Sequence, residues 1–205
     1  MPSFLDPQTI IRTGGLVAIA LIIFAECGLL VGFFLPGDSL LFTAGFLASQ
    51  GFVGLDIWTL SAVCGIAAVI GPLVGYWYGN LWGPRLFSRD DSLLFRKQHL
   101  LRAHEFYERY GGRALILARF IPIVRTFAPV VAGMASMNYR HFVIYTLIGG
   151  ALWGVGVPWA GYLLGTRFPE LGKYMEWVIV IIIVVSIAPA VVHLLRERGK
   201  AKAAV

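Results

Sequence analysis

Four charges stand in stretches that are otherwise apolar. Glu26 and Asp38 flank a break at Pro36-Gly37, and Arg119 and Arg125 flank a second break at Pro122. At a bilayer centre each such charge costs about 2.5–3.5 kcal/mol on insertion scales, so these residues face a water-filled cavity or one another and mark transport paths or proton relays. The signs sort by segment: both acids belong to the first, both arginines to the second. Arginine presents a planar fork suited to bidentate capture of phosphate or carboxylate. Removal from water disfavours the ionised form of a carboxylate, which lets it exchange protons. The pattern points to an anion site on Arg119 and Arg125 beside proton-coupling acids at Glu26 and Asp38. The bland alternative uses the same residues as a buried ionic clasp that only pins the two segments together.

Other chemistries find little support. Cys27 and Cys64 lie in apolar runs and read as small buried residues, with no metal-ligand spacing and no disulfide framework. His99, His104, His141 and His193 share no face. A lipid phosphatase would want a histidine nucleophile or an acid–metal cluster, and no histidine lies near either break. We therefore expect no enzyme, no metal and no cofactor. Asp56, Arg113 and Arg140 read as boundary charges.

The elements that must position the four charges are membrane helices. Apolar types make up 58% of the 205 residues and charged types 14%, where a soluble domain is about a quarter charged. Residues 57–84, 142–166 and 177–195 carry no Asp, Glu, Lys or Arg; a span needs about 20 apolar residues. Of the 17 basic residues, seven fall between Arg85 and Arg113, and four more in the tail are Arg196, Arg198, Lys200 and Lys202. The positive-inside bias makes both regions cytoplasmic and the 49–57 connection external. That assignment holds if 114–139 enters and leaves on one side. The 85–111 loop reads as a basic amphipathic helix lying on anionic lipid, or as a solvated loop helix. The first residues lack a basic leader pattern, and no cleaved signal peptide is expected.

The chain repeats itself. Phe34-Leu35-Pro36 recurs as Phe120-Ile121-Pro122, and Pro72 to Gly79 recurs as Pro158 to Gly165, both at an offset of 86. Each copy holds an apolar arm, a break, a second arm and a long helix with Gly-Tyr-x-x-Gly. A hairpin followed by one crossing inverts the second copy, as in many secondary transporters. Repeat 1 covers about 10–84 and repeat 2 about 112–168. A C-terminal helix at 175–195 completes one membrane domain, 1–205. Whether 10–25 forms a full span is left open. Gly71, Gly75 and Gly79 lie on one helix face and read as a packing ridge.

At these residues the chain resembles the bacterial DedA family, also described as SNARE-associated Golgi or VTT-domain proteins. The matching elements are Glu26 with Pro36-Gly37-Asp38-Ser39-Leu40-Leu41, Gly75-Tyr76-x-x-Gly79, and Phe106-Tyr107-Glu108-Arg109-Tyr110-Gly111. Arg119-Phe120-Ile121-Pro122-x-x-Arg125, Ala132-Gly133-Met134 and Gly161-Tyr162-x-x-Gly165 complete the set. The resemblance spans about residues 20–166. It implies two re-entrant hairpins in an inverted repeat, residence in the bacterial inner membrane, and translocation of lipid phosphates, notably undecaprenyl phosphate, coupled to proton motive force. The family's functional acids and arginines carry over onto Glu26, Asp38, Arg119 and Arg125. Gly71-Pro72 departs from the Gly-Asp of many relatives, which bears on the proton coupling.

The sequence thus leads to an all-α polytopic transporter of a lipid phosphate, polyprenyl or phospholipid, with protons as a second partner. A homo-oligomer is compatible with it, and no nucleic-acid partner is expected. Two alternatives stay open: a proton-coupled antiporter of a small cation or osmolyte, which the arginines suit poorly, and a non-transporting envelope scaffold.

Overall fold

A computed structural model describes residues 7–30, 32, 35–52, 56–87, 112–119, 121–175 and 177–182. The expected amphipathic loop lies almost wholly outside these residues, and so does most of the expected C-terminal helix, of which 177–182 is helical.

Among the described residues the regular structure is helical throughout: α1 (Pro7–Gly28), α2 (Gly37–Ser49), α3 (Ile57–Phe87), α4 (Arg113–Ala118), α5 (Pro122–Met134) and α6 (Tyr139–Arg167), then a 3-10 turn at Pro169–Tyr174. Local chemistry sets the boundaries. Asp56 opens α3 by accepting from the Thr59 backbone N–H at 3.0 Å. Asn138 opens α6 by accepting from the N–H groups of Arg140 and His141 at 3.0 and 3.2 Å. Such caps satisfy donors that lack intrahelical partners. Pro122 sits in the first turn of α5, where its missing N–H costs nothing.

Length divides the helices into two groups. At 1.5 Å per residue, α3 and α6 are each about 45 Å long, enough to cross a hydrocarbon core of about 30 Å. The 13-residue α2 and α5 reach about 20 Å. Helix α1 has 22 residues but kinks at Gly15, whose φ of 55° and ψ of −148° leave the helical region. Its straight part after the kink is about as short as α2.

The packing is crossed. Helix α2 lies against α6, and α5 lies against α3, while α3 also contacts α6 and α1. Bare backbone makes these seams: a Cβ on Gly161 would collide with the Phe42 carbonyl of α2, and one on Gly133 with the Tyr76 carbonyl of α3. At one end of the bundle, the Arg12 guanidinium lies 5.9 Å from the Phe52 ring centroid, and Gln50 Nε2 donates to the Gly165 carbonyl at 3.0 Å. The start of α1, the end of α2 and the end of α6 therefore meet there. At the other end, the Tyr76 hydroxyl donates to the Met137 carbonyl at 2.5 Å and its ring stacks on Phe142 at 4.6 Å.

The core between α1, α2, α3 and α6 is built from Ile19, Ile23, Leu40, Leu41, Leu60 and Cys64, among others. Outside it, large apolar side chains such as Trp58, Ile66, Leu147, Leu152 and Leu163 are exposed. Large apolar side chains on the exterior of helices of spanning length suit lipid. Segments Thr9–Gly28, Ile57–Trp82 and Tyr139–Arg167 are long and apolar enough to cross a membrane. The chain is a helical membrane protein.

Candidate functional site

The four charges converge from the two helix breaks. Glu26 stands in the last turn of α1, and Asp38 in the first turn of α2. Arg119 follows α4 directly, and Arg125 lies in the first turn of α5. Glu26, Arg119 and Arg125 are each at least 95% buried.

Arg125 joins both acids. Its Nη1 donates to Asp38 Oδ1 at 2.8 Å, and its Nη2 forms a short ion pair with Glu26 Oε1. The two ends of the guanidinium thus hold one carboxylate each. Glu26 Oε2 points at the backbone of Gly37, and no hydrogen bond of normal geometry reaches it. A Cβ at Gly37 would occupy the same space as that oxygen. Glycine is therefore required where the first break meets the acid, and the carboxylate sits at the N-terminus of α2, where the helix dipole favours negative charge. Thr126 Oγ1 adds a contact to the Glu26 carbonyl at 3.3 Å.

Arg119 behaves differently. It makes no ion pair among the described residues; its Nη1 donates to the Ala68 carbonyl at 2.8 Å and its Nη2 to the Thr146 carbonyl at 3.3 Å. Pro72 explains the first contact. Proline has no N–H, so the carbonyl four residues earlier in α3 lacks its helical donor, and Arg119 supplies one. The expectation that both arginines face the acids therefore holds for Arg125, while Arg119 ties α3 to α6 through backbone.

Trp153 of α6 completes the cluster. Its indole Nε1–H donates to Asp38 Oδ1 at 2.8 Å, and its ring lies 4.2 Å from Arg125 Cζ. Sequence reasoning had no signal for it: a tryptophan in an apolar span reads as core or lipid contact.

Both arginines line a narrow cleft with Pro72, Leu115, Ala128, Pro129, Phe142 and Thr146, whose volume of about 10 Å³ is room for one water. Arg125 Nε is buried without a hydrogen-bond partner. The rest of the cleft wall is mostly apolar, and Arg125 already holds two carboxylates. No cluster of three or more His, Cys, Asp or Glu suited to a metal occurs among the described residues.

A polytopic helical membrane protein whose buried charges gather at helix breaks is the class that this architecture defines. The VTT domain family matches residues 35–163. The chain is 50% identical over 185 residues to the protein DedA of Escherichia coli K12, covering 90% of this chain and 84% of that one. It is 42% identical over 198 residues to an uncharacterised membrane protein of Mycobacterium leprae, covering 94% and 87%. It is 35% identical over 157 residues to the E. coli K12 inner membrane protein YqjA, covering 76% and 69%. No solved structure matches. The chain belongs to the DedA family of VTT-domain membrane proteins.

Proposed function

We propose that this protein carries a lipid phosphate, undecaprenyl phosphate by family resemblance, between the leaflets of the inner membrane, coupled to proton motive force, and that it is a carrier and not an enzyme. The observation that carries this reading is that Arg119 and Arg125 line one narrow cleft, while Arg125 keeps an unpartnered Nε donor. The phosphate head lies on the arginines and the polyprenyl tail stays in lipid.

Helix geometry supports an inverted pair of re-entrant hairpins. Helices α2 and α5 are too short to cross a core of about 30 Å, and α1 is kinked at Gly15. The start of α1 and the end of α2 meet at one end of the bundle. The crossed contacts of α2 with α6 and of α5 with α3 support a reading in which two copies exchange their arms. The 86-residue offset relates the same elements. Residues 85–113 and the tail are then cytoplasmic.

Charge balance supports the coupling. Two acids and two arginines sum to zero, and an incoming phosphate adds at least one negative charge. A proton taken up by Glu26 as Arg125 turns from it toward the phosphate keeps the buried sum near zero, which a low-dielectric site demands. The ionic clasp keeps a specific argument of its own, since Arg125 holds both carboxylates in this conformation.

The test is translocation by purified protein in vesicles carrying undecaprenyl phosphate, with undecaprenol and phosphatidylcholine as controls. Protein-dependent flipping of the phosphate alone, accelerated by a pH gradient, is the expected result. Equal flipping of undecaprenol, or none of the three, ends the proposal.

A further inference from the structure

One ring touches both members of an ion pair in two different ways. Trp153 is 2% exposed. Its edge donates to Asp38 Oδ1, the same oxygen that receives Arg125 Nη1, both at 2.8 Å. Its face carries the Arg125 guanidinium at 4.2 Å, within the range of cation–π attraction. An aromatic present only to fill space would need neither contact. The indole N–H is a donor only and does not titrate with the carboxylates, so its bond to Asp38 persists while protons move elsewhere in the site. The two acids are held unequally. Asp38 has two donors on one oxygen and a side chain 21% exposed, whereas Glu26 is 4% exposed and rests on Arg125. The 86-residue offset places Ala67 opposite Trp153, so the other repeat supplies no equivalent ring.

We propose that Trp153 is a positioning residue of the anion site: it anchors Asp38 and fixes the plane of the Arg125 guanidinium, so that Arg125 exchanges a carboxylate for a lipid phosphate without losing its orientation. This rests on the lipid-phosphate reading. When Arg125 turns to the anion, Asp38 keeps the indole donor and is not stranded. When the anion leaves, Asp38 stands ready to take the guanidinium back. A stacked planar cation can slide and rotate in its own plane more readily than it can leave the ring, which suits an exchange of partners.

Two variants separate the edge from the face. Trp153→Phe keeps a ring face and deletes the N–H, while Trp153→Leu deletes both. In vesicles carrying undecaprenyl phosphate, Trp153→Phe is expected to lower kcat about tenfold, equivalent to about 1.4 kcal/mol, with KM within about twofold. Trp153→Leu is expected to raise KM about tenfold as well. Loss of stability with KM unchanged in Trp153→Leu would mark a packing residue and overturn the assignment. A second arm needs no substrate and so separates this inference from the lipid reading. Thermal unfolding midpoints are compared for the full-length wild type, Trp153→Phe, Asp38→Ala and the double variant. The cost of Trp153→Phe should shrink by half or more once Asp38 is gone. Additive costs overturn the anchoring role, whatever the wild type does with undecaprenyl phosphate.

Discussion

Pro72 and Arg119 are linked through a carbonyl that belongs to neither. Pro72 withholds the N–H that would have closed the helical bond to Ala68, and Arg119 Nη1 donates to that carbonyl at 2.8 Å. A helix defect in α3 thereby becomes the seat of a cation that follows α4. Because Nη2 also reaches Thr146 of α6, one side chain spans both long helices.

This linkage predicts a stability rescue. Arg119→Leu leaves the Ala68 carbonyl buried without a donor, at a cost of about 1–3 kcal/mol. Adding Pro72→Ala restores a backbone N–H at the right place in the helix. The double variant should recover most of the lost unfolding midpoint in detergent. It should not recover phosphate-lipid translocation, because the cleft still lacks its second cation. Recovery of stability by Pro72→Ala in the wild-type background to the same degree would show that the two sites are uncoupled.

The acids, the arginines and the breaks were legible in the sequence because each is costly in an apolar setting. An unpaired charge or an exposed carbonyl in lipid demands a partner, so Glu26, Asp38, Arg119, Arg125 and Pro122 announce themselves. The partner's identity was less legible. Arg119 pairs with a carbonyl freed by a proline 47 positions earlier, a relation that exists only once α3 and α4 are neighbours. Trp153 bears no mark of its polar edge, since indole sits equally well in a core, in lipid or at an ion pair. The kink at Gly15 had only the Gly14-Gly15 pair as its signal, and glycines are common in membrane helices.

A second prediction concerns Gly37. A Cβ there overlaps the Glu26 carboxylate, so Gly37→Ala should displace the acid and weaken its pair with Arg125. Overpacking of this kind costs about 1–3 kcal/mol. In a Glu26→Ala background the overlap is gone, so adding Gly37→Ala should lower the unfolding midpoint little or not at all. If Gly37→Ala melts and transports as the wild type does, the break is not packed on Glu26 as described.

The third concerns orientation. Single cysteines at Gln50 and Arg96 should react with a membrane-impermeant maleimide from opposite sides, Gln50 from outside. Cys27 and Cys64 are buried, and serine replacements at both give a clean background. Reaction of both positions from the same side would remove the inverted topology and with it the cytoplasmic assignment of 85–113.

The last prediction separates a phosphate site from an ionic clasp, and the geometry dictates which residues to change. Arg125 serves two carboxylates, so Arg125→Gln strands both. Breaking a buried pair by removing one partner typically costs about 3–5 kcal/mol. Neutralising Asp38 along with it would leave Glu26 buried and alone. The informative double variant is Arg125→Gln with Glu26→Gln, because the remaining Asp38 keeps the Trp153 donor and some access to solvent. If the cluster is only a clasp, that variant regains both stability and activity. If Arg125 holds the phosphate, it regains stability and binds the lipid phosphate more weakly than Glu26→Gln alone does, since the anion has lost its fork. Arg125→Lys sharpens the contrast by keeping the charge while replacing a planar two-ended donor with a point charge. One ammonium group cannot bridge Glu26 and Asp38 as the two guanidinium ends do. We expect transport in Arg125→Lys to fall at least about tenfold, which corresponds to about 1.4 kcal/mol, with a smaller loss of stability than in Arg125→Gln. Wild-type translocation of the lipid phosphate by the double glutamine variant would leave the clasp standing and remove Arg125 from the anion site.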